Sequence, residues 1–203
     1  SDKAVLAAAI FFTLQPVEWY HYIMSLVDSS YQLPDYGVGP MYDVVAEATK
    51  SGNFWDFIGC NVTLGQKASL MWAVGAGRIL QTAGLFLIGF YIGRKQLFVV
   101  DRLKLGFWIK TLIISAVCFA PLHSWRNLMM EGNPMILQTV GTVFDMWQKL
   151  AFTFVLVSSF VLLYQNKSFQ QRVSNLRFYG RMSLTNYVSQ SIIGAIIYFP
   201  FAL

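Results

Sequence analysis

The sequence predicts an all-α, polytopic bundle of transmembrane helices, and three observations support this fold class. Of the 203 residues, 56% are hydrophobic and only 12% are charged, whereas soluble domains carry about 25% charged residues. The mean hydropathy is positive. The apolar residues also form runs of about 20 residues, the length at which a helix crosses a hydrocarbon core of roughly 30 Å. We therefore expect a single transmembrane domain whose main partner is the lipid bilayer.

Five apolar runs are predicted to span the membrane, and they cover residues 4–27, 68–92, 105–122, 136–164 and 183–203. The first contains Pro16, which is expected to kink the helix because its ring removes a backbone hydrogen bond. Segment 28–67 is predicted to contain a short interfacial helix from about Pro40 to Lys50, followed by an aromatic anchor at 54–58. A substrate lid and a plain cover for the bundle both fit a segment of this length.

The distribution of basic residues predicts the orientation of the bundle. The net charge of +5 is compatible with nucleic-acid binding, but the basic residues lie on alternate loops, which favours a topological role and no nucleic-acid partner. Segment 28–67 and loop 123–135 are then extracytoplasmic, because basic loops stay in the cytoplasm. Nine basic residues fall on one side, namely Lys3, Arg94, Lys95, Arg102, Lys104, Lys167, Arg172, Arg177 and Arg181, and three on the other, namely Lys50, Lys67 and Arg126.

Two further features concern the chain as a whole. It opens with Ser1, shows no signal peptide and stops within apolar sequence, so we expect a fragment of a larger polytopic protein. The two cysteines, Cys60 and Cys118, show no metal-ligand spacing, and no metal site is predicted. A homo-oligomer is compatible with the sequence.

Arg78 is the main candidate for function, because it lies within the second apolar run. A guanidinium near the bilayer centre costs roughly 2.5–3.5 kcal/mol and therefore needs a partner or a water-filled path. Counting from the outer ends of the spans places Glu18, Arg78 and Asp145 all roughly 13–15 Å deep. The sequence thus predicts that Arg78 pairs with these two carboxylates, while Asp145 and Lys149 have the i,i+4 spacing of a helical ion pair.

Polar residues at helical spacing surround this group and predict an inward-facing polar interior. The candidate substrate or pathway residues are Glu18, Arg78, Gln81, Asp145, Lys149, Asn186 and Gln190. An equally balanced alternative is a neutral brace that fixes the register of the helices without small-molecule chemistry. His21 lies one turn from Glu18 and is a weak candidate for acid–base catalysis; the catalytic residues are otherwise unknown.

Two blocks of the sequence resemble a known family. The first is the run from Gly180 through Arg181, Met182, Ser183, Leu184, Thr185 and Asn186 to Tyr187, followed by Gln190 and Ser191. The second runs from Gly77 and Arg78 through Gln81 and Thr82 to Gly93 and Arg94. Both are similar to the YeiB-like bacterial membrane proteins, which contain domain of unknown function 418.

The resemblance implies an integral protein of the bacterial cytoplasmic membrane, with an amino-terminal half and a final span outside this chain. It also implies a distant similarity to transmembrane acyltransferases, such as heparan-glucosaminide acetyltransferase and sugar O-acyltransferases. These pass an acyl group from cytoplasmic acyl-CoA to an acceptor outside. Their catalytic histidine belongs to the amino-terminal part and is not carried over to His21.

Two classes of activity follow as hypotheses. The first is a transmembrane acyltransferase, with acyl-CoA as donor and an envelope glycan or lipid as acceptor, in which Arg78 and Lys149 orient an anionic group. The second is a transporter or permease whose charged residues form a solute or proton path. The brace, with a purely structural role, is the third.

Overall fold

The computed structural model describes residues 1–50, 53–99, 102–130 and 134–198. Of the residues described, 85% are helical, and none forms a strand. The predicted all-α fold is confirmed. The helices, in chain order, are α1 (Asp2–Thr13), α2 (Pro16–Val27), α3 (Val38–Lys50), α4 (Phe54–Cys60), α5 (Gln66–Gly75), α6 (Arg78–Arg94), α7 (Arg102–Met130), α8 (Pro134–Ile136), α9 (Thr142–Leu163), α10 (Lys167–Arg172), α11 (Leu176–Arg181) and α12 (Ser183–Tyr198).

Two short π-helices interrupt the regular hydrogen bonding within longer helices. We name them π1 (Asn61–Gly65), between α4 and α5, and π2 (Leu137–Gly141), between α8 and α9. Three consecutive residues of π2, from Thr139 to Gly141, are buried. Single π turns are rare and occur frequently at functional sites, so π2 marks a part of the fold to examine for function.

Two helices in the described residues are long and apolar enough to cross a membrane, Lys104–Leu128 with 25 residues and Pro134–Leu163 with 30 residues. A third span results if the broken pair Phe54–Gly75 and Arg78–Arg94 is counted as one. Large apolar side chains on these helices are exposed, among them Ile113, Val117 and Leu156. This exposure is consistent with contact to lipid, while the predicted number of five spans stays a prediction.

The chain divides into two compact units. The first contains Ser1–Pro34 and Ala76–Phe169, and the second contains Asp35–Gly75 and the chain from Gln170 onward. In the second unit α3 packs on α4, π1 and α5, and α11 contacts α12. The short helix predicted between Pro40 and Lys50 is present as α3, and it begins two residues earlier, at Val38.

The first unit is built on two helix pairs, α7 with α9 and α1 with α6. At the start of α1, Asp2 forms ion pairs with Arg94 at 2.8 Å and Lys95 at 2.7 Å, at the end of α6. The hydrogen bond from Lys95 and the charge of Arg94 hold the pKa of Asp2 below its ordinary value. Because opposite ends of the two helices meet, α1 and α6 are antiparallel.

The connection from α6 to α7 is fixed by a buried tryptophan. The indole Nε1 of Trp108 donates a hydrogen bond to the carbonyl oxygen of Leu97 at 2.8 Å, and its ring stacks on Phe98 with centroids 5.3 Å apart. The Trp108 side chain is 1% exposed. This contact ties the turn after α6 to the first part of α7.

The helix α7 continues beyond the apolar run that was predicted as the third span. The prediction ended the span at residue 122 and assigned residues 123–135 to a loop. In the structure α7 reaches Met130 and contains Pro121, and residues 131–133 lie outside the described part of the chain. A hydropathy pattern shows where apolar residues end, whereas a helix ends only where its hydrogen bonding stops. His123 and Arg126 therefore lie on α7 instead of in a loop.

Candidate functional site

Two helix interruptions face each other in the first unit. The first separates α1 from α2 at Gln15, which has a left-handed conformation with φ 55°. Proline disfavours a helical conformation in the preceding residue, and Pro16 becomes the first residue of α2. The predicted kink at Pro16 is therefore a complete break. The second interruption lies at Gly77, with φ 63°, directly before α6, within the run 68–92 that is predicted as one continuous span.

The side chain of Gln15 joins the two interruptions. It is 1% exposed. With its amide oriented to satisfy both groups, Nε2 donates to the carbonyl oxygen of Gly77 at 3.3 Å, and Oε1 accepts from the backbone nitrogen of Gln81 at 3.0 Å. A backbone carbonyl at the end of α1 receives its hydrogen bond from another helix, because Nε1 of Trp147 donates to the carbonyl oxygen of Thr13 at 2.8 Å. Broken helices persist in a bilayer only when such partners replace the lost backbone bonds.

Glu18 lies in the first turn of α2 and is 5% exposed. Its carboxylate is packed against the backbone of Gly77, because a methyl group placed on Gly77 would lie 2.7 Å from Glu18 Oε1. The same methyl group would also lie 3.3 Å from the amide of Gln15 and from Cε of Met146. A larger residue at this position would displace the Glu18 carboxylate and would be strained at a φ of 63°.

A charged cleft lies beside these interruptions, and we call it the cationic cleft. Its volume is about 370 Å³. Three basic side chains line it, Arg78 from α6, Arg126 from α7 and Lys149 from α9, together with the carboxylate of Asp145. The formal charge of these four side chains is +2. The remaining lining residues are Ala76, Leu137, Gln138, Gly141, Thr142 and Met146.

Asp145 holds two of the three cations. Nε of Arg126 donates to Oδ1 at 2.8 Å, and Nζ of Lys149 donates to Oδ2 at 2.5 Å. The i,i+4 pair of Asp145 and Lys149 that the spacing predicts is confirmed. The ion pairs described for Asp145 are those with Arg126 and Lys149, so its predicted pairing with Arg78 stays a prediction. Arg78 lines the same cleft, and its Nη1 donates to Oε1 of Gln81 at 3.2 Å.

Arg126 forms an ion pair in the cationic cleft but is not among the residues that the sequence predicts for the site. It was assigned to an outer loop because the apolar run ended before it. The signal that could have placed it was the helical spacing of polar residues beyond the apolar run, with His123 and Asn127 one turn apart. These two side chains are hydrogen-bonded, with Nδ2 of Asn127 3.2 Å from Nε2 of His123.

The hydrogen bonds described for the two histidines go to other partners than Glu18 and Asp145. Nδ1 of His21 is hydrogen-bonded to the hydroxyl of Tyr31 at 2.6 Å, rather than to Glu18 as the one-turn spacing suggested. His123 contacts Gln148 on α9, with Nδ1 3.0 Å from Nε2 of the amide. The described contacts therefore bring neither histidine to a carboxylate, and a catalytic role for His21 stays an untested prediction.

The other predicted residues fall into two groups. Gln81 lines a second, smaller cavity of about 50 Å³ in the first unit, together with Gln15 and Lys149. Asn186 and Gln190 lie on α12, in the second unit. Their participation in a common polar interior stays a prediction. Among the residues that the structure describes, no group of three His, Cys, Asp or Glu side chains is arranged to hold a metal ion.

Comparison with known families identifies the chain. Residues 92–203, from the end of α6 onward, match the family described as "Protein of unknown function (DUF418)". The chain belongs to the DUF418 family. The matched residues include the block from Gly180 to Ser191 that carries the resemblance in the sequence, whereas the block that begins at Gly77 lies mostly before them. No curated protein and no solved structure is detectably similar to the chain. DUF418 membership and the apolar helices together indicate a membrane protein of unknown function.

Proposed function

We propose that this DUF418 protein binds the anionic group of a substrate in the cationic cleft. The observation that carries the proposal is the convergence of three basic side chains, Arg78, Arg126 and Lys149, on one cleft. Asp145 is the acidic residue among the described residues that line it. An anion that enters the cleft gains charge-assisted hydrogen bonds from groups that are already held in place.

The position of the cleft favours a substrate that arrives from one end of the helices. Arg94 and Lys95 lie at the end of α6, whereas Arg78 is its first residue. The 16 residue steps between Arg78 and Arg94 correspond to about 24 Å, close to the roughly 30 Å of a hydrocarbon core. We therefore propose that Arg78 lies toward the boundary opposite Arg94 and Lys95, rather than at the depth that counting within the run 68–92 predicts. In the predicted orientation, this boundary is the extracytoplasmic one.

Within this proposal, acyl transfer to an envelope acceptor is the favoured activity, and its support is the resemblance to transmembrane acyltransferases. Arg78, Arg126 and Lys149 would bind the anionic part of the acceptor and orient it. The acyl-CoA donor would arrive from the opposite, cytoplasmic side. The cleft itself offers binding and electrostatic stabilisation, and its four charged side chains leave the general base to another part of the protein.

Transport is the second candidate function, and the two helix interruptions favour it. Transporters frequently use discontinuous helices whose broken ends meet at a substrate site. Here the breaks at Gln15 and Gly77 are joined by a hydrogen-bonded side chain. The small cavity that contains Gln15, Gln81 and Lys149 shares Lys149 and Met146 with the cationic cleft. It would form the inner continuation of a solute path.

Anion binding can be tested with inorganic phosphate and glycerol 3-phosphate as probes, measured as the rise in thermal unfolding temperature of the full-length protein in detergent. Ligands that bind the folded state raise this temperature. Arg126→Gln is expected to weaken binding about tenfold, the effect of about 1.4 kcal/mol. Lys110→Gln is the matched control, because Lys110 is an exposed basic residue on the same helix. Equal affinities in both variants would contradict the proposal.

The two candidate activities differ in a second measurement. An acyltransferase in proteoliposomes consumes radiolabelled acetyl-CoA supplied at one face, and Arg126→Gln lowers the turnover. A transporter moves radiolabelled glycerol 3-phosphate or phosphate across the same membrane without acetyl-CoA consumption. If the protein binds phosphate but shows neither acyl transfer nor transport, both activities are contradicted and only anion binding is supported.

A further inference from the structure

Glu18 is a buried carboxylate outside the ion pairs of the cationic cleft. It is 5% exposed, and no hydrogen bond or ion pair joins its side chain to another residue in the described ranges. A buried charge without a partner is costly, and such a group commonly becomes neutral instead. The position of Glu18 therefore needs an explanation that the cationic cleft does not supply.

The surroundings of Glu18 act on its two protonation states in opposite directions. Burial favours the neutral acid. Against this, Glu18 lies in the first turn of α2, and its Oε1 lies against Gly77, which precedes the 17-residue helix α6. The amino-terminal ends of two helices carry partial positive charge and favour the ionised carboxylate. A carboxyl group under these two influences can change its protonation state when either changes.

A proton suits this site better than a metal cation does. Two helix amino termini repel a cation, and Glu18 is the single acidic side chain against Gly77. The charged or titratable side chains on the neighbouring helices have contacts of their own: His21 on α2 bonds Tyr31, Arg78 on α6 bonds Gln81, and Asp145 and Lys149 on α9 bond each other. The elements α8 and π2, which pack against α2, contain no titratable side chain.

We propose that Glu18 is a proton-binding site that controls the junction between the two helix interruptions. The ionised carboxylate stabilises the first turn of α6 next to Gly77, and the protonated acid releases it. The left-handed backbone at Gln15 and at Gly77 supplies two positions where the helices can change direction. Proton uptake at Glu18 thus changes the stability of the Gly77 junction, whichever substrate the cationic cleft binds.

Infrared difference spectroscopy of the full-length protein in lipid nanodiscs tests the proton site directly. A protonated carboxyl without hydrogen bonds gives a carbonyl stretch at higher frequency than a carboxyl exposed to water. We expect such a band to change with pH in the wild type and to be lost in Glu18→Gln. Glu47→Gln, which alters an exposed glutamate on α3, should keep the band. A band that persists in Glu18→Gln, ignores pH, or responds to sodium instead of pH overturns the proposal.

Hydrogen exchange provides a second test, which uses the wild-type protein and therefore requires no folded variant. Amide protection of residues 77–81 in the wild type, corrected for the intrinsic pH dependence of exchange, should fall as the carbonyl band appears. Residues of α9 from 150 to 160 serve as the internal reference and should keep constant protection. If protection at 77–81 does not follow the carbonyl band, Glu18 does not control the junction. This result would leave anion binding in the cationic cleft unaffected.

Discussion

Asp145 determines how much positive charge the cationic cleft offers to a ligand, because it binds Arg126 and Lys149 with its two oxygens. Asp145→Asn removes this competing anion and raises the formal charge of the four side chains from +2 to +3. We predict tighter binding of inorganic phosphate, by about three- to tenfold, together with a lower thermal unfolding temperature. Titration calorimetry and a thermal unfolding scan measure the two effects.

The brace hypothesis makes a different prediction for the same variant. If the ion pairs serve only to hold α7 against α9, Asp145→Asn lowers stability and leaves phosphate affinity unchanged. Asp56→Asn, on the exposed part of α4 in the second unit, is the control for a general change in net charge. An equal gain in affinity for both variants would show a nonspecific electrostatic effect.

Gly77 is a second residue whose substitution has a definite expected cost. Its φ of 63° is strained for an alanine, and the added methyl would lie 2.7 Å from Glu18 Oε1. Gly77→Ala should therefore destabilise the protein by about 1–3 kcal/mol. Gly89→Ala is the matched control, because Gly89 lies within α6, the helix that follows Gly77, with open space beside it. It should be neutral or slightly stabilising. Denaturant unfolding in mild detergent measures both, and equal stabilities would show that the junction relaxes without cost.

At the scale of the helices, the interruptions depend on hydrogen bonds from neighbouring elements. Trp147 on α9 satisfies the last part of α1 through the carbonyl oxygen of Thr13. Trp147→Phe keeps an aromatic ring for the contacts with Phe144 and Trp19 but leaves this carbonyl without its donor. The expected loss of stability is about 1–3 kcal/mol, the cost of an unsatisfied buried polar group.

The control for this helix-end variant is Trp125→Phe. Trp125 is 55% exposed on α7, and its ring also contacts Phe144. It undergoes the same chemical change at a site where the structure gives no indole hydrogen bond to a described residue. Thermal unfolding of the two variants should therefore differ clearly. A similar loss in both would mean that the ring contacts, and not the bond to Thr13, stabilise the end of α1.

The interruptions also show what the sequence could and could not predict about the elements. Pro16 predicted a disturbance of the first span, since proline removes a backbone hydrogen bond. Nothing comparable preceded Gly77, because a glycine within an apolar run is compatible with a continuous membrane helix. The ion pairs of Asp145 show the same contrast between what the sequence predicts and what it does not. The pair with Lys149 is predicted by the i,i+4 spacing, whereas the pair with Arg126 requires knowing that α7 extends past the apolar run.

For the whole molecule, composition was enough to predict an all-α membrane protein, and the two sequence blocks were enough to predict its family. The number of spans is a harder question. Both α1 and α2 contain 12 residues, which corresponds to about 18 Å each and is shorter than the hydrocarbon core. They can cross the bilayer only as an interrupted pair, and hydropathy does not distinguish such a pair from one bent helix.

The distribution of basic residues in the sequence predicts an orientation for the whole chain. The excess of basic residues between the predicted spans on one side predicts that Lys167 lies in the cytoplasm and Lys50 outside. In a background without Cys60 and Cys118, we predict that a membrane-impermeant maleimide labels Lys50→Cys in intact cells. Lys167→Cys should react only after the cells are permeabilised.

This orientation also decides on which side the cationic cleft opens, because the cleft lies at the end of α6 opposite Arg94 and Lys95. The control is Lys67→Cys, a second position predicted outside, which should label together with Lys50→Cys. Reversed labelling would place the cleft toward the cytoplasm. The cationic cleft would then face the compartment that supplies acyl-CoA, and its positive charge would fit the phosphates of the donor instead of an anionic acceptor.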